Sequence, residues 1–163
     1  VNAGGMPSVR MVLLKGIDER GFVFYTNSTS QKGVELKENN KAALCFHWKS
    51  LRKQVRVQGA VVMVDANEAD TYFATRPRGS RIGAWASDQS SPLADRETLQ
   101  AQVKAIEERY PEGTEIPRPP FWNGYRVIPQ RIELWSDGEY RLHDRFVYTR
   151  DENGQWQEQR LSP

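Results

Sequence analysis

Arg141-Leu142-His143-Asp144-Arg145 puts two guanidiniums and an imidazole into five residues, shortly after Trp135. Its flanks, Arg131–Trp135 and Phe146–Tyr148, carry the β-branched and aromatic content of strands. Side chains alternate faces on a strand, so the pattern predicts Arg141, His143 and Arg145 on one side and Leu142 on the other. Three cation-capable groups side by side repel one another unless an anion sits among them. Such a cluster suits a phosphate, or a ligand with several acceptor atoms. A solvated edge on which Asp144 pairs one arginine is the plain alternative.

The demand for anions recurs. Arg76-Pro77-Arg78-Gly79-Ser80-Arg81 gathers three arginines, a glycine and a hydroxyl at a helix-to-loop transition. It reads as a phosphate site or a solvated basic turn, with Trp85 and Gln89-Ser90-Ser91 close behind. Thr26-Asn27-Ser28-Thr29-Ser30-Gln31-Lys32 leads into a helix start, where free N–H groups and Lys32 could hold a phosphate, or where an ordinary cap suffices. Arg10 and Lys15 stand at odd separation in a β-prone stretch, so a regular strand would point them to opposite faces. No Gly-rich run joins a strand to a helix in the manner of a phosphate loop or dinucleotide fingerprint.

Other chemistries find little support. Two histidines, one cysteine and no acids clustered at ligand spacing give no metal site. Neither a Ser-His-Asp nor a Cys-His arrangement can be assembled. His47 reads as structural, and Cys45, in Ala42-Ala43-Leu44-Cys45-Phe46, as a buried spectator. Anion sites without a protein nucleophile or metal point to an organic cofactor that performs the reaction itself.

Length and charge bound the rest. The 163 residues fit a single domain, residues 1–163, and a net charge of +2 gives no polycationic surface for nucleic acid. There is no membrane-spanning apolar run, no signal-peptide pattern and no disulfide framework, so a cytoplasmic location is expected. The start at Val1 suggests a preceding segment outside this sequence.

Strands are predicted over Ser8–Lys15 and Phe22–Thr26, joined by a turn at Asp18–Gly21, and over Ala42–Trp48 and Gln54–Val62. Four more follow at Tyr125–Ile128, Ile132–Trp135, Phe146–Tyr148 and Trp156–Leu161. Helices are predicted over Ser30–Asn39 with Ser30 as N-cap, over Glu68–Arg76 closed by Pro77, and over Glu97–Tyr110, before a proline-rich loop at Pro111–Pro120. The fold class is mainly β with inserted helices, a small barrel or sandwich.

Several segments together resemble the pyridoxine/pyridoxamine 5′-phosphate oxidase family. They are Arg10–Lys15, Phe24-Tyr25-Thr26-Asn27, Arg76–Ser80, Ile82-Gly83-Ala84-Trp85, Gln89-Ser90-Ser91-Pro92, Arg141–Arg145 and the ending Arg160-Leu161-Ser162-Pro163. The likeness runs end to end in the same order. It implies an FMN-binding split β-barrel whose N-terminal helix and first strand precede this sequence, in a homodimer with FMN at the interface. The implied reaction oxidises pyridoxine 5′-phosphate and pyridoxamine 5′-phosphate to pyridoxal 5′-phosphate, by hydride transfer to the flavin, with O2 as acceptor and H2O2 as product.

Carried over by position, the resemblance assigns Arg10, Met11, Val12, Leu13, Leu14 and Lys15 to a strand lining FMN. Arg10 goes to the flavin phosphate, and Lys15 also reaches the substrate phosphate. Tyr25, Thr26, Lys32, Gln54, Gln89 and Ser90 become further FMN contacts, with Trp135 and Arg145 supplied by the opposite subunit. Tyr72, Arg76 and Ser80 become the substrate-phosphate site. Arg141, Leu142 and His143 cover the substrate ring, with Arg141 and His143 in catalytic roles. One position departs: Gln31 stands where the family usually has arginine. Losing one charge-assisted contact costs about 1.5–3 kcal/mol, so weaker FMN retention is expected. Two alternatives stand beside this reading. One is a flavin oxidase of the same fold acting on another ring system, such as a phenazine precursor; the other is a non-enzymatic flavin- or pyridoxal-phosphate-binding module.

Overall fold

One long strand organises the molecule. In the computed structural model, which describes residues 1–163, the elements run β1 (Gly16–Asp18), β2 (Gly21–Asn27), α1 (Gln31–Glu38), β3 (Lys41–Trp48), β4 (Lys53–Met63), α2 (Ala66–Ala74), α3 (Arg78–Ala86), α4 (Arg96–Arg109), β5 (Trp122–Ser136), β6 (Asp144–Arg150) and β7 (Trp156–Leu161). β5 pairs with β2 along its first half and with β6 along its second half, while β4 lies on its other edge. The antiparallel sheet therefore forks at β5, with β1 extending one branch, β7 the other, and β3 flanking β4. This is a split β-barrel with inserted helices, as expected.

β5 survives a proline because of a bulge. Gln58 pairs with Arg131 and Gly59 with Pro129, leaving Gln130 as the extra residue. The missing N–H of Pro129 thus falls where the ladder is already interrupted. A Cβ on Gly59 would sit 1.8 Å from the Ile128 carbonyl oxygen, so only glycine permits the approach. The two strands expected over Tyr125–Ile128 and Ile132–Trp135 are accordingly one.

Phe24, Val57, Val61, Tyr125 and Val127 fill the barrel, and Phe73, Ile82, Ile116 and Trp122 form a second cluster beneath the helices. α1 begins at the expected cap: Ser30 is fully buried, and its Oγ accepts from the Gly33 N–H. Helix α3 occupies residues read as a basic turn. Ile82 and Ala86, four apart, supply the buried stripe that outweighs the glycines. No helix is long and apolar enough to cross a membrane.

Two expected strands are corrected. Over Ser8–Lys15 only the Lys15 N–H reaches β2, at 2.8 Å from the Val23 carbonyl oxygen. Upstream, the Ser8 and Arg10 side chains bind Glu35 of α1, and the chain leaves the sheet with Val9 and Met11 almost fully exposed. Nor do Arg141, His143 and Arg145 share one strand face. Arg141 ends a 3₁₀ turn (Glu139–Arg141), His143 lies in the following link, and only Arg145 is on β6.

Candidate active site

A cleft of about 700 Å³ opens between the N-terminal segment, β2, α2 and α3. It is lined by Leu13, Lys15, Tyr25, Thr26, Tyr72, Arg76, Ser80, Gln89 and Trp122, among others. Its floor is an aromatic cluster: between ring centres Tyr25 lies 4.2 Å from Tyr72 and 5.0 Å from Trp122, and those two are 6.2 Å apart. The Arg76 guanidinium rests 4.8 Å above Trp122 and 5.4 Å from Phe73. Its Nη1 is buried without a hydrogen-bond partner. Burial pushes the pKa of Arg76 below its usual range.

Lys32 occupies the neighbouring corner. Its Nζ donates to Thr26 Oγ1 at 2.7 Å and Gln89 Oε1 at 2.9 Å, and Thr26 Oγ1 donates in turn to Gln89 at 2.9 Å. Burial first, and then the charge of Arg10, lower the Lys32 pKa. No ion pair involves Lys15, Lys32 or Arg76. Two cations lining the cleft and a third at its edge, none in an ion pair, is the electrostatic signature of an anion site.

Arg10 is engaged differently. It donates to Glu35 at 3.1 Å, and Gln31 Nε2 donates to the same carboxylate at 2.9 Å. The Ser8 hydroxyl, Arg10 and Gln31 hold the Glu35 carboxyl down at about 2. Arg10, Val12 and Lys32 border a second groove of about 590 Å³ beside β3. Lys15 and Arg10 thus do serve different spaces, through divergence of the segment rather than strand alternation. Met11 and Leu14 are exposed, and Ser90, at φ 74°, borders a shallow hollow with Gln31 and Gln89.

The outer face of the sheet gathers a separate set. Gln54, Trp135 and Arg145 are register neighbours across β4, β5 and β6. Beside them Glu133, which sequence reading missed, is 2 % exposed. It accepts from Arg56 at 3.2 Å, Arg131 at 3.4 Å, and both Nε and Nη2 of Arg145 at 3.0 and 2.9 Å. Burial opposes its charge, but the Arg145 hydrogen bonds and three guanidiniums outweigh it and hold the carboxyl below its ordinary range. The alternation Arg131-Ile132-Glu133 amid strand residues was the available signal. On the same face Cys45 and His47 are exposed. The expected burial of Cys45 is corrected: β3 pairs only with β4, and odd-numbered β3 residues point away from the barrel core.

Arg141 and His143 do not line the cleft of their own chain. They sit beyond β5 in a strained link: Tyr140 and Arg141 have φ of 53° and 67°. Two consecutive non-glycine residues in the left-handed region cost free energy, and such strain collects at functional sites. Gly138 admits the link, since a Cβ there would lie 2.1 Å from the Leu142 carbonyl oxygen. The His143 ring leans on Trp135 at 4.7 Å, and its Nδ1 lies 3.2 Å from the Gly138 N–H and 3.1 Å from Asp137 Oδ1. Leu142 is exposed beside it.

The fold and these sites define a class: a split barrel whose cleft presents uncompensated cations suited to an anionic ligand. Residues 1–110 match the family model described as pyridoxamine 5′-phosphate oxidase. Residues 122–163 match that of the pyridoxine 5′-phosphate oxidase C-terminal dimerisation region. The chain belongs to the pyridoxamine 5′-phosphate oxidase family. It is 59 % identical over 163 residues to a pyridoxine/pyridoxamine 5′-phosphate oxidase of Mesorhizobium japonicum, covering 100 % of this chain and 79 % of that one. A Gluconobacter oxydans protein of the same name is 61 % identical over 159 residues, covering 98 % and 78 %. Among solved structures, PhzG from Burkholderia lata in complex with tetrahydrophenazine-1-carboxylic acid superposes with a TM-score of 0.93 at 35 % identity, covering 100 % of this chain and 79 % of that one.

Proposed function

We propose that this protein is an FMN-dependent oxidase that converts pyridoxine 5′-phosphate and pyridoxamine 5′-phosphate to pyridoxal 5′-phosphate. The observation that carries the reading is Arg76, an unpaired guanidinium on an aromatic shelf, sharing its cleft with Lys15, Tyr72 and Ser80. A dianionic phosphate neutralises what the fold leaves uncompensated, and the rings that support Arg76 offer an apolar floor for a pyridine.

The residues present fit FMN. Lys32, held only by neutral oxygens of Thr26, Ser30 and Gln89, suits its phosphate, with Ser90 close by in sequence. Tyr25, the segment Met11–Leu14 and Gln54 fit the remainder of the cofactor, and Arg10 fits it on release from Glu35. Trp135 and Arg145 fit it from a second copy of the chain, consistent with the match of their region to a dimerisation module. What FMN contributes when bound is the two-electron redox chemistry, with O2 as final acceptor and H2O2 as product.

The chain's own residues bind, orient and shield. Lys15, Tyr72, Arg76 and Ser80 anchor the substrate phosphate and fix the reacting carbon by its distance from that anchor. Arg141 and His143 of the second copy close over the ring and exclude water. The Gly138 N–H donates to His143 Nδ1, and Asp137 Oδ1 lies beside the same nitrogen. Nε2 is thereby left to meet a polar substituent of the ring.

The fold likeness to PhzG favours a second reading, oxidation of a phenazine precursor. That substrate class makes no use of Lys15, Arg76 and Ser80 as a phosphate set. The deciding experiment incubates the FMN-loaded protein with pyridoxamine 5′-phosphate in air and follows pyridoxal 5′-phosphate and H2O2 together. Equimolar appearance of both is expected; FMN binding without either product overturns the oxidase reading.

A further inference from the structure

Glu133 has no place in the reaction described so far, yet more guanidiniums converge on it than on any other carboxylate of the sheet. It is 2 % exposed and sits on β5 between Arg56 on β4 and Arg145 on β6. Three guanidiniums converge on this one carboxylate, Arg56 and Arg131 at Oε2 and Arg145 at Oε1. Only the carboxylate is buried, where three guanidiniums offset the cost of its charge. The arginines stay 25–41 % exposed and leave a surplus of positive charge on the face that carries Gln54 and Trp135.

Arg145 is the member whose orientation is most fully specified. Its direct cross-strand neighbour is Trp135, so the contact with Glu133 is a diagonal one. Nε and Nη2 both donate to Glu133 Oε1, and Nη1 donates to the Ser162 carbonyl oxygen at 3.0 Å. A guanidinium has five N–H donors. These contacts use three and leave one on each terminal nitrogen, on a side chain still 25 % exposed.

We propose that Glu133 is a positioning residue: it locks the guanidinium plane of Arg145 so that the two spare N–H groups meet acceptor atoms of FMN bound by the adjoining subunit. The inference rests on the FMN reading of Arg145. It is distinct from a purely electrostatic role, because the two predict opposite signs. A carboxylate that only offset the arginines would weaken binding of an anionic cofactor, and its removal would tighten it.

The test titrates cofactor-free protein with FMN, reading flavin fluorescence, for wild type, Glu133→Gln, Arg145→Lys and the double variant, with thermal melting as a control for folding. Each single substitution is expected to weaken FMN binding about tenfold, and the double no further than either alone, since residues acting through one contact are non-additive. Glu133→Asp keeps the charge with a shorter reach. It is expected to lose about threefold, and it serves if Glu133→Gln does not fold. Binding by Glu133→Gln equal to or tighter than wild type, while Arg145→Lys weakens it, overturns the positioning role and leaves the reading of Arg145 intact. A double variant in which the two losses multiply also overturns it. Unchanged affinity in Arg145→Lys overturns the assignment of Arg145 to FMN and the inference with it.

Discussion

In the cleft, Arg76 lies on Trp122 and Phe73 with Nη1 unbonded, and neither Lys15 nor the neighbouring Lys32 forms an ion pair. On the outer face, Arg56, Arg131 and Arg145 converge on Glu133. Both regions are rich in basic groups, and both are built on β5 and its neighbours. An arginine supported by rings and denied a carboxylate keeps its whole charge available for a ligand, whereas one clamped by a buried carboxylate has its plane fixed and can offer only its spare N–H groups. The local count of basic residues does not separate the two. What stands next to each guanidinium does.

That contrast can be broken at Arg141, which belongs to neither group: it is exposed, has no side-chain partner and is conformationally strained at φ 67°. Arg141→Gly removes the guanidinium and the left-handed penalty together. A fall in kcat/KM of about 100-fold is expected, with stability unchanged or raised by up to about 1 kcal/mol. Parallel kinetics and thermal melting check it, and full activity would remove Arg141 from the site.

Arg76→Ala tests the cleft itself. Losing a charge-assisted phosphate contact should raise KM for pyridoxamine 5′-phosphate roughly 10- to 100-fold with kcat nearly unchanged, because the phosphate is bound equally in ground and transition states. A collapse of kcat at saturating substrate would make Arg76 more than an anchor.

Gln31→Arg sharpens the difference between a free and a clamped cation. The residue sits over Glu35, where Gln31 already donates at 2.9 Å. An arginine there meets that carboxylate as well as any phosphate, so FMN affinity should rise less than the roughly tenfold expected of an unshared contact. A fluorescence titration decides, and no gain at all would mean that Glu35 takes the whole of the new charge.

The smallest effect concerns pH. The Glu35 carboxyl lies at about 2 in the folded chain against an ordinary 4.5. A depressed folded value means that its contacts with Ser8, Arg10 and Gln31 are at full strength above about pH 4.5 and weaken as pH falls towards 2. Amide exchange across Ser8–Leu14 should therefore stay constant from neutral pH to about pH 5 once corrected for intrinsic rates, and accelerate below pH 4. Unchanged protection at pH 3 would show that backbone packing, not Glu35, holds the segment.

Local chemistry made much of this legible in advance. Ser30 capped α1 as its hydroxyl required, alternation drew β3 and β4, and Asp18–Gly21 turned the first hairpin. The basic stretch around Arg76 and Ser80 does line the cleft. Errors arose where a distant partner overrode local preference. Ser8–Leu14 has strand propensity but is drawn to Glu35 on α1, and Pro129 reads as a break only until the bulge opposite Gly59 is known. Arg141-Leu142-His143 alternates like a strand, yet Gly138 and the 3₁₀ turn bend it away.

Residue types and spacing by themselves determined the mainly β class, because helix caps and strand alternation act over a few residues, and the order of the motifs carried the likeness to the family; the basic clusters marked only candidates for anion sites. Only the tertiary structure decided which cations are free. Glu133 meets Arg56 and Arg145 from strands 77 and 12 residues away in sequence, and Arg76 meets Trp122 across the loop that follows α4. Charge compensation depends on distances of 3 to 5 Å between groups far apart along the chain, and only packing fixes those distances.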